Sequence, residues 1–281
     1  MNQKNFEYLR DQVKYTGFGE ALESELKEKL EKQTPAFAIT HNTKFGNDDV
    51  SAVLHFKKSD QTDNYFFNSY DLSVKQKQDS EIVNQTFYIG KENNYTLKEG
   101  YNLLCGRAVH KELNKLEKVG EGENARFKPT DETYNAWVQL DFKNTDNQGN
   151  YKHKQFSENY GYDVVEALEK LPIRELANDQ DKDRLVESLK KGNRQSVTFE
   201  QDGNEKMQFI EANPQFKTIT IYDSNMQRIN TRQKQEEDQG QGQQNSTKKA
   251  AKNKNENDAD DGEEVSEKSN KKRNRKNQSM S

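Results

Sequence analysis

Three times along this chain a stretch with helical spacing runs into a residue suited to ending a helix, and alternating apolar residues follow at once. The clearest copy spans residues 181–225. Leu185, Val186 and Leu189 fall at helical spacing, Gly192 supplies the φ > 0 position that closes a helix, and Val197 and Phe199 alternate with polar neighbours. The pair 202–203, Asp-Gly, has the chemistry of a hairpin turn; Met207 and Phe209 resume the alternation, Pro214 breaks it, and Phe216 to Tyr222 read as a last strand.

The same order recurs upstream. Thr96-Leu97-Lys98-Glu99 has the form of a capping box, Tyr101 and Leu104 continue a helix, and Gly106 ends it as Gly192 does. After a charged segment from Lys111 to Glu132, read as an irregular insertion, Tyr134, Ala136, Val138, Leu140 and Phe142 run at period two, and a turn at 146–149 leads into residues 151–160. Nearer the N-terminus, Phe6, Leu9 and Val13 make one helical face, Gly17-Phe18-Gly19 breaks it, and Leu22, Leu26 and Leu30 make a second stripe that Pro35 ends. Strands follow at 37–44, 50–57 and 65–74. This pattern predicts an α+β fold of repeated helix-then-antiparallel-strand units, three by this count, with an N-terminal helical pair; the alternative is one ordinary α+β domain. The expected limits are residues 1–90, 91–230 and a tail at 231–281.

The tail limit comes from composition. All 27 aromatic residues lie before residue 231, and the only aliphatic residues larger than Ala beyond it are Val265 and Met280. Such a segment cannot bury enough apolar surface to offset its ordering entropy, so a disordered C-terminal tail is expected. The net charge of −4 divides into about −6 for residues 1–230 and +2 for the tail, whose Lys248, Lys249, Lys271, Lys272, Arg273, Arg275 and Lys276 form two basic clusters around the acidic run 258–264. Basic clusters of this kind supply salt-sensitive phosphate contacts, although mixed-sign tails also serve as solubilisers.

Chemistry-bearing signals are sparse. Cys105 stands alone among apolar neighbours and reads as a small buried hydrophobe; the four histidines are separated from one another and lack zinc-site spacing. His55 falls opposite the apolar face of Val50, Ala52, Leu54 and Phe56, where a solvated residue is expected. Gly17-x-Gly19 follows a helix rather than a strand, unlike a dinucleotide fingerprint. No nucleophile with its base, metal set or phosphate loop can be assembled, so neither an enzyme nor a bound cofactor or metal is expected, and no small-molecule substrate is evident. The N-terminus lacks the apolar core of a signal peptide and no run would span a bilayer, so a cytoplasmic protein is expected, without membrane association.

Trp137 shares a strand face with Asn135, Gln139 and Asp141. Covered by a helix it would be core, the arrangement that α/β layering favours; left open, it would stack on bases, and Tyr65 and Phe67 would do so on another exposed sheet face.

The segments LLCGRAV (103–109), YNAWVQLDF (134–142), SLKKGN (188–193), VTFEQDG (197–203) and IEANPQFKTITIYDSNMQRIN (210–230) resemble an uncharacterised family of Bacteroides-type bacteria carried on conjugative and integrative mobile elements. Relatives of its repeat domain sometimes accompany type IA topoisomerase modules. The resemblance covers residues 1–230, most specifically 97–230, and carries over no functional residues. It implies an accessory role in DNA transfer or processing. Two functions are therefore expected: a non-enzymatic accessory protein binding nucleic acid through the basic tail clusters and exposed aromatics, or a scaffold for a protein partner encoded by the same element.

Overall fold

The computed structural model describes residues 2–77, 81–91, 93–122, 126–201 and 203–229 of the chain. Residues 1–230 form one compact unit, α+β in class. Its helices are α1 (Gln3–Val13), α2 (Glu23–Glu31), α3 (Leu97–Leu104), α4 (Val164–Glu169) and α5 (Asp179–Lys190). The strands are β1 (Ala36–Phe45), β2 (Asp48–Lys58), β3 (Tyr65–Lys75), β4 (Ile82–Tyr88), β5 (Val109–Val119), β6 (Arg126–Thr145), β7 (Tyr151–Ser157), β8 (Gln195–Gln201), β9 (Asn204–Asn213) and β10 (Thr218–Tyr222). They make three antiparallel sheets, ordered β1-β2-β3-β4, β5-β6-β7 and β10-β9-β8, each entered from a helix. The expected helix-then-strand order is present in all three units.

The three helix ends share a left-handed closing residue. At the end of α3, Gly106 (φ +78°) donates its N–H to the Leu103 carbonyl at 2.9 Å, and Arg107 donates to that of Asn102 at 3.0 Å. At the end of α5, Gly192 (φ +76°) donates to Leu189 at 2.9 Å and Asn193 to Ser188 at 3.1 Å. Both are Schellman closures, which satisfy the last carbonyls of a helix with backbone N–H groups from a left-handed turn. After α2 the left-handed position is held by Gln33 (φ +52°), whose N–H reaches the Leu30 carbonyl at 3.3 Å. In every case the strand begins at the same offset, 33 to 36, 106 to 109 and 192 to 195.

Helix starts are equally local. The Thr96 hydroxyl accepts from the Glu99 N–H and the Glu99 carboxylate accepts from the Thr96 N–H, closing the capping box of α3. Asp163 caps α4 and Asn178 caps α5 through their side-chain oxygens.

Two hydrophobic cores meet at the second sheet. In the first, α1 and α2 lay Phe6, Leu9, Val13, Leu26 and Leu30 against the inner face of the first sheet, where Leu54, Tyr70 and Leu72 are fully buried. All of α3 except Lys98 is buried, with Leu97, Tyr101, Leu103 and Leu104 in this core, and Val109, Val138 and Leu140 from one face of the second sheet close it. The opposite face presents Trp137 to the second core, which Ala108, just before β5, also joins and which is formed with α4, α5 and the third sheet. The stitch between the cores is polar: Asn102 Nδ2 of α3 donates to the Lys191 carbonyl (2.6 Å) and to Asn193 Oδ1 (3.0 Å) at the end of α5.

Two expectations are corrected. The segment 111–132 is no irregular insertion: β5 and β6 continue through it as a hairpin arm, with Leu116 opposite Pro129 and Lys118 opposite Phe127. The arm extends past β7, which pairs with β6 only from Ala136 onward, so both of its faces meet water and no alternation marks it. In β9, Gln208, Ile210 and Ala212 point inward and Met207 is exposed, one residue out of phase with the face predicted from Met207 and Phe209. Cross-strand pairing of Val197 with Gln208 sets this phase.

Candidate nucleic-acid interface

The first sheet is two-faced. Strand alternation sends Val50, Ala52, Leu54 and Phe56 of β2 and Tyr70, Leu72 and Val74 of β3 into the core, and it sends the intervening residues outward. The outer face carries Thr40 and Asn42 of β1, Ser51, His55 and Lys57 of β2, Ser69, Asp71 and Ser73 of β3 and Asn84, Thr86 and Tyr88 of β4. Thr40, Asn42, Lys57, Asn84 and Tyr88 are exposed.

Aromatic and cationic groups gather at one end of this face. Phe66, 52% exposed, pairs across the strands with Lys57, which is held only loosely by Asp60 at 3.7 Å. In the next row His55, Ser69 and Tyr88 lie side by side, and Tyr88 is 62% exposed with its hydroxyl donating to Gln148 at 2.6 Å. That hydrogen bond holds the phenol at the sheet margin while leaving its ring in solvent. At the other end of the face a hollow of about 480 Å³ is lined by Lys44, Ser51, Ser73, Lys75 and Ile82, with Lys44 paired to Asp49 at 2.8 Å.

Between the two ends, His55 Nε2 lies 2.7 Å from Asp71 Oδ2, and Thr86 Oγ1 donates to Asp71 Oδ1 at 2.7 Å. The carboxylate thus orients one imidazole on an open surface. Among the described residues no group of three or more His, Cys, Asp or Glu could hold a metal ion. The Cys105 thiol, at the end of α3, is pushed up by burial, which the Arg107 guanidinium opposes.

The aromatic residues proposed from sequence as base-stacking surfaces are not on this face. Tyr65 and Phe67 are each 3% exposed and point into the first core, where Phe67 stacks on Phe56 and Tyr65 donates its hydroxyl to the Thr34 carbonyl. Trp137, 4% exposed, is covered: Tyr162 meets its ring edge-on at 5.5 Å and His110 at 5.2 Å. A stacking role for these three residues is withdrawn, because a buried ring has no face to offer. Lys248, Lys249, Lys271, Lys272, Arg273, Arg275 and Lys276 lie outside the described residues.

No family model, curated protein or solved structure matches this chain. The site must therefore be read from its own residues. Phe66 and Tyr88 were hidden in aromatic runs, Tyr65-Phe66-Phe67 and Phe87-Tyr88, in which any strand must turn one ring away from its neighbour. The runs announce an outward aromatic without saying which one it is. No helix of the described residues is long and apolar enough to cross a membrane.

Proposed function

We propose that this chain is a non-enzymatic accessory protein that binds nucleic acid, in keeping with the mobile-element family it resembles. The observation that supports this reading is the open outer face of the first sheet, where Phe66 stands exposed beside Lys57 and Tyr88 stands exposed on β4 at the same end. Exposed rings on a polar sheet stack on bases of any identity, and lysines at the margins neutralise phosphate. The basic clusters at 248–249 and 271–276 would add contacts of the same kind. Titration of labelled DNA against the full chain at rising salt tests the proposal. Affinity should fall steeply as salt increases, and the double substitution Phe66→Ala with Tyr88→Ala should weaken binding about tenfold or more. Absence of binding at low salt would remove the proposal.

A second reading, a scaffold for a protein partner, draws on the hairpin arm. Leu116 and Phe127 are largely exposed and share one face of the ribbon with Pro129, and such anchors fit a partner surface. Replacing residues 115–132 by an Asn-Gly turn between Asn114 and Thr133 should leave stability within about 1 kcal/mol, since the arm buries little. Capture of a partner that resists nuclease and requires the arm would favour this reading over the first.

A further inference from the structure

A second feature of the first unit has the chemistry of a binding site. Strand β3 begins before β4 can pair with it: the ladder between them runs from Ser69 opposite Tyr88 to Lys75 opposite Ile82. Past the Asn68 carbonyl, which still accepts from the Ile89 N–H at 2.8 Å, the overhanging end, residues 65–67, faces α1 across a groove. Asn5 of α1 holds this overhang by standing in for the missing strand. Its Oδ1 accepts from the Tyr65 N–H at 2.7 Å and its Nδ2 donates to the Tyr65 carbonyl at 3.0 Å. The groove stays open beyond that clamp, as a hollow of about 680 Å³ that Tyr8, Gln12 and Lys91 join to a second of about 440 Å³.

Three exposed rings line it. Tyr8 of α1 is 55% exposed, Tyr15 in the π-helical turn that extends α1 is 76% exposed, and Phe66 belongs both to this groove and to the open sheet face. Lys4 and Lys91 stand on opposite walls, and neither is in an ion pair among the described residues. Asp11, the carboxylate lining the groove among those residues, is already matched by Arg10 at 2.8 Å. The side-chain amides of Gln12 and Asn68 also line the first hollow without a partner among the described residues.

We infer that this groove takes a single, unpaired nucleic-acid strand, its bases stacked on Tyr8 and Tyr15 and its phosphates drawn to Lys4 and Lys91. The chemistry selects this occupant. Unpaired bases expose a π-face for the tyrosines and a donor–acceptor edge that the amides of Gln12 and Asn68 can match, whereas a duplex hides both inside its stack. Two unpaired cations in a groove whose carboxylate is neutralised favour a polyanion over a neutral glycan or peptide. Phe66 makes the groove continuous with the sheet face, so the inference rests on the nucleic-acid reading and assigns the unpaired strand as its ligand.

The test is fluorescence anisotropy with labelled oligothymidylate and with a DNA hairpin duplex of equal length, using the full chain. The expected result is preference for oligothymidylate, weakened about tenfold or more by Tyr8→Ala. Phe127→Ala, on the distant arm, should leave it unchanged. If Tyr8→Ala lowers the melting temperature, Lys91→Glu on the facing wall gives an independent reading and should also weaken binding. Equal affinity for strand and duplex, indifference to both groove variants, or an equal loss with Phe127→Ala would overturn the groove while leaving nucleic-acid binding in place. Failure to bind either DNA would overturn both.

Discussion

At the scale of single residues, Gly100 shows how packing overrides propensity. It lies inside α3, where alanine would ordinarily gain about 1 kcal/mol. A Cβ there would sit 2.9 Å from Leu72 Cδ2 and 3.0 Å from Phe87 Cε2, both on the inner face of the first sheet. Gly100→Ala should therefore destabilise the protein, by about 1–2 kcal/mol net of the helical gain, read from the urea midpoint. His110 gives stability a pH dependence. Burial beside Trp137 holds its pKa below the ordinary histidine value, Lys190 adds to the depression, and Glu158 and Glu187 oppose it. A depressed histidine favours the native state above the unfolded pKa of about 6.5, and that contribution is lost as pH falls. Burial shifts His41 and His153 in the same direction. The urea midpoint should drop between pH 7 and pH 5, and His110→Phe should flatten part of that drop; an unchanged slope would show that the shift is not expressed in stability.

At the scale of elements, the repeated unit is defined by its helix stop more than by its sequence. Gly106 and Gly192 take the left-handed position without strain, but Gln33 occupies the same place with a Cβ that disfavours it. Gln33→Gly should raise stability by about 0.5–1 kcal/mol despite the added freedom of the unfolded chain, measured by chemical denaturation. A loss instead would mean that the Gln33 side chain makes a compensating contact. The converse change at Gly192 is barred twice, by its φ of +76° and by the Ala108 carbonyl oxygen 2.8 Å from where a Cβ would stand. The stops at Gly106 and Gly192 and the cap at Thr96 were legible in the sequence because each is settled within five or six residues; the stop at Gln33 was not, and Pro35 was read as ending that helix. The hairpin arm was not, since strands with water on both faces carry no alternation to read.

At the scale of the whole molecule, the second sheet couples two cores that could otherwise melt apart. Val138 and Trp137 are neighbours in β6, yet one belongs to the first core and the other to the second. Trp137 is the chain's only tryptophan, so its fluorescence reports the second core while far-UV circular dichroism reports all the elements. Unfolding in guanidinium should give coincident transitions by the two probes; separated midpoints would show that the Asn102 stitch and the shared sheet do not bind the cores into one cooperative unit.

Propensity, capping and period act over a few neighbouring residues, so the class of fold, the order of helices and strands and most helix ends were readable in the chain alone. Which aromatics face water was settled by pairing between distant strands. In Tyr65-Phe66-Phe67 a period of two is satisfied equally by burying the outer pair or the middle ring, and the choice fell to the pairing of β3 with the apolar face of β2. That choice buried the rings the pattern had offered as a binding surface and left Phe66 outside, where the open sheet and the groove beside α1 meet.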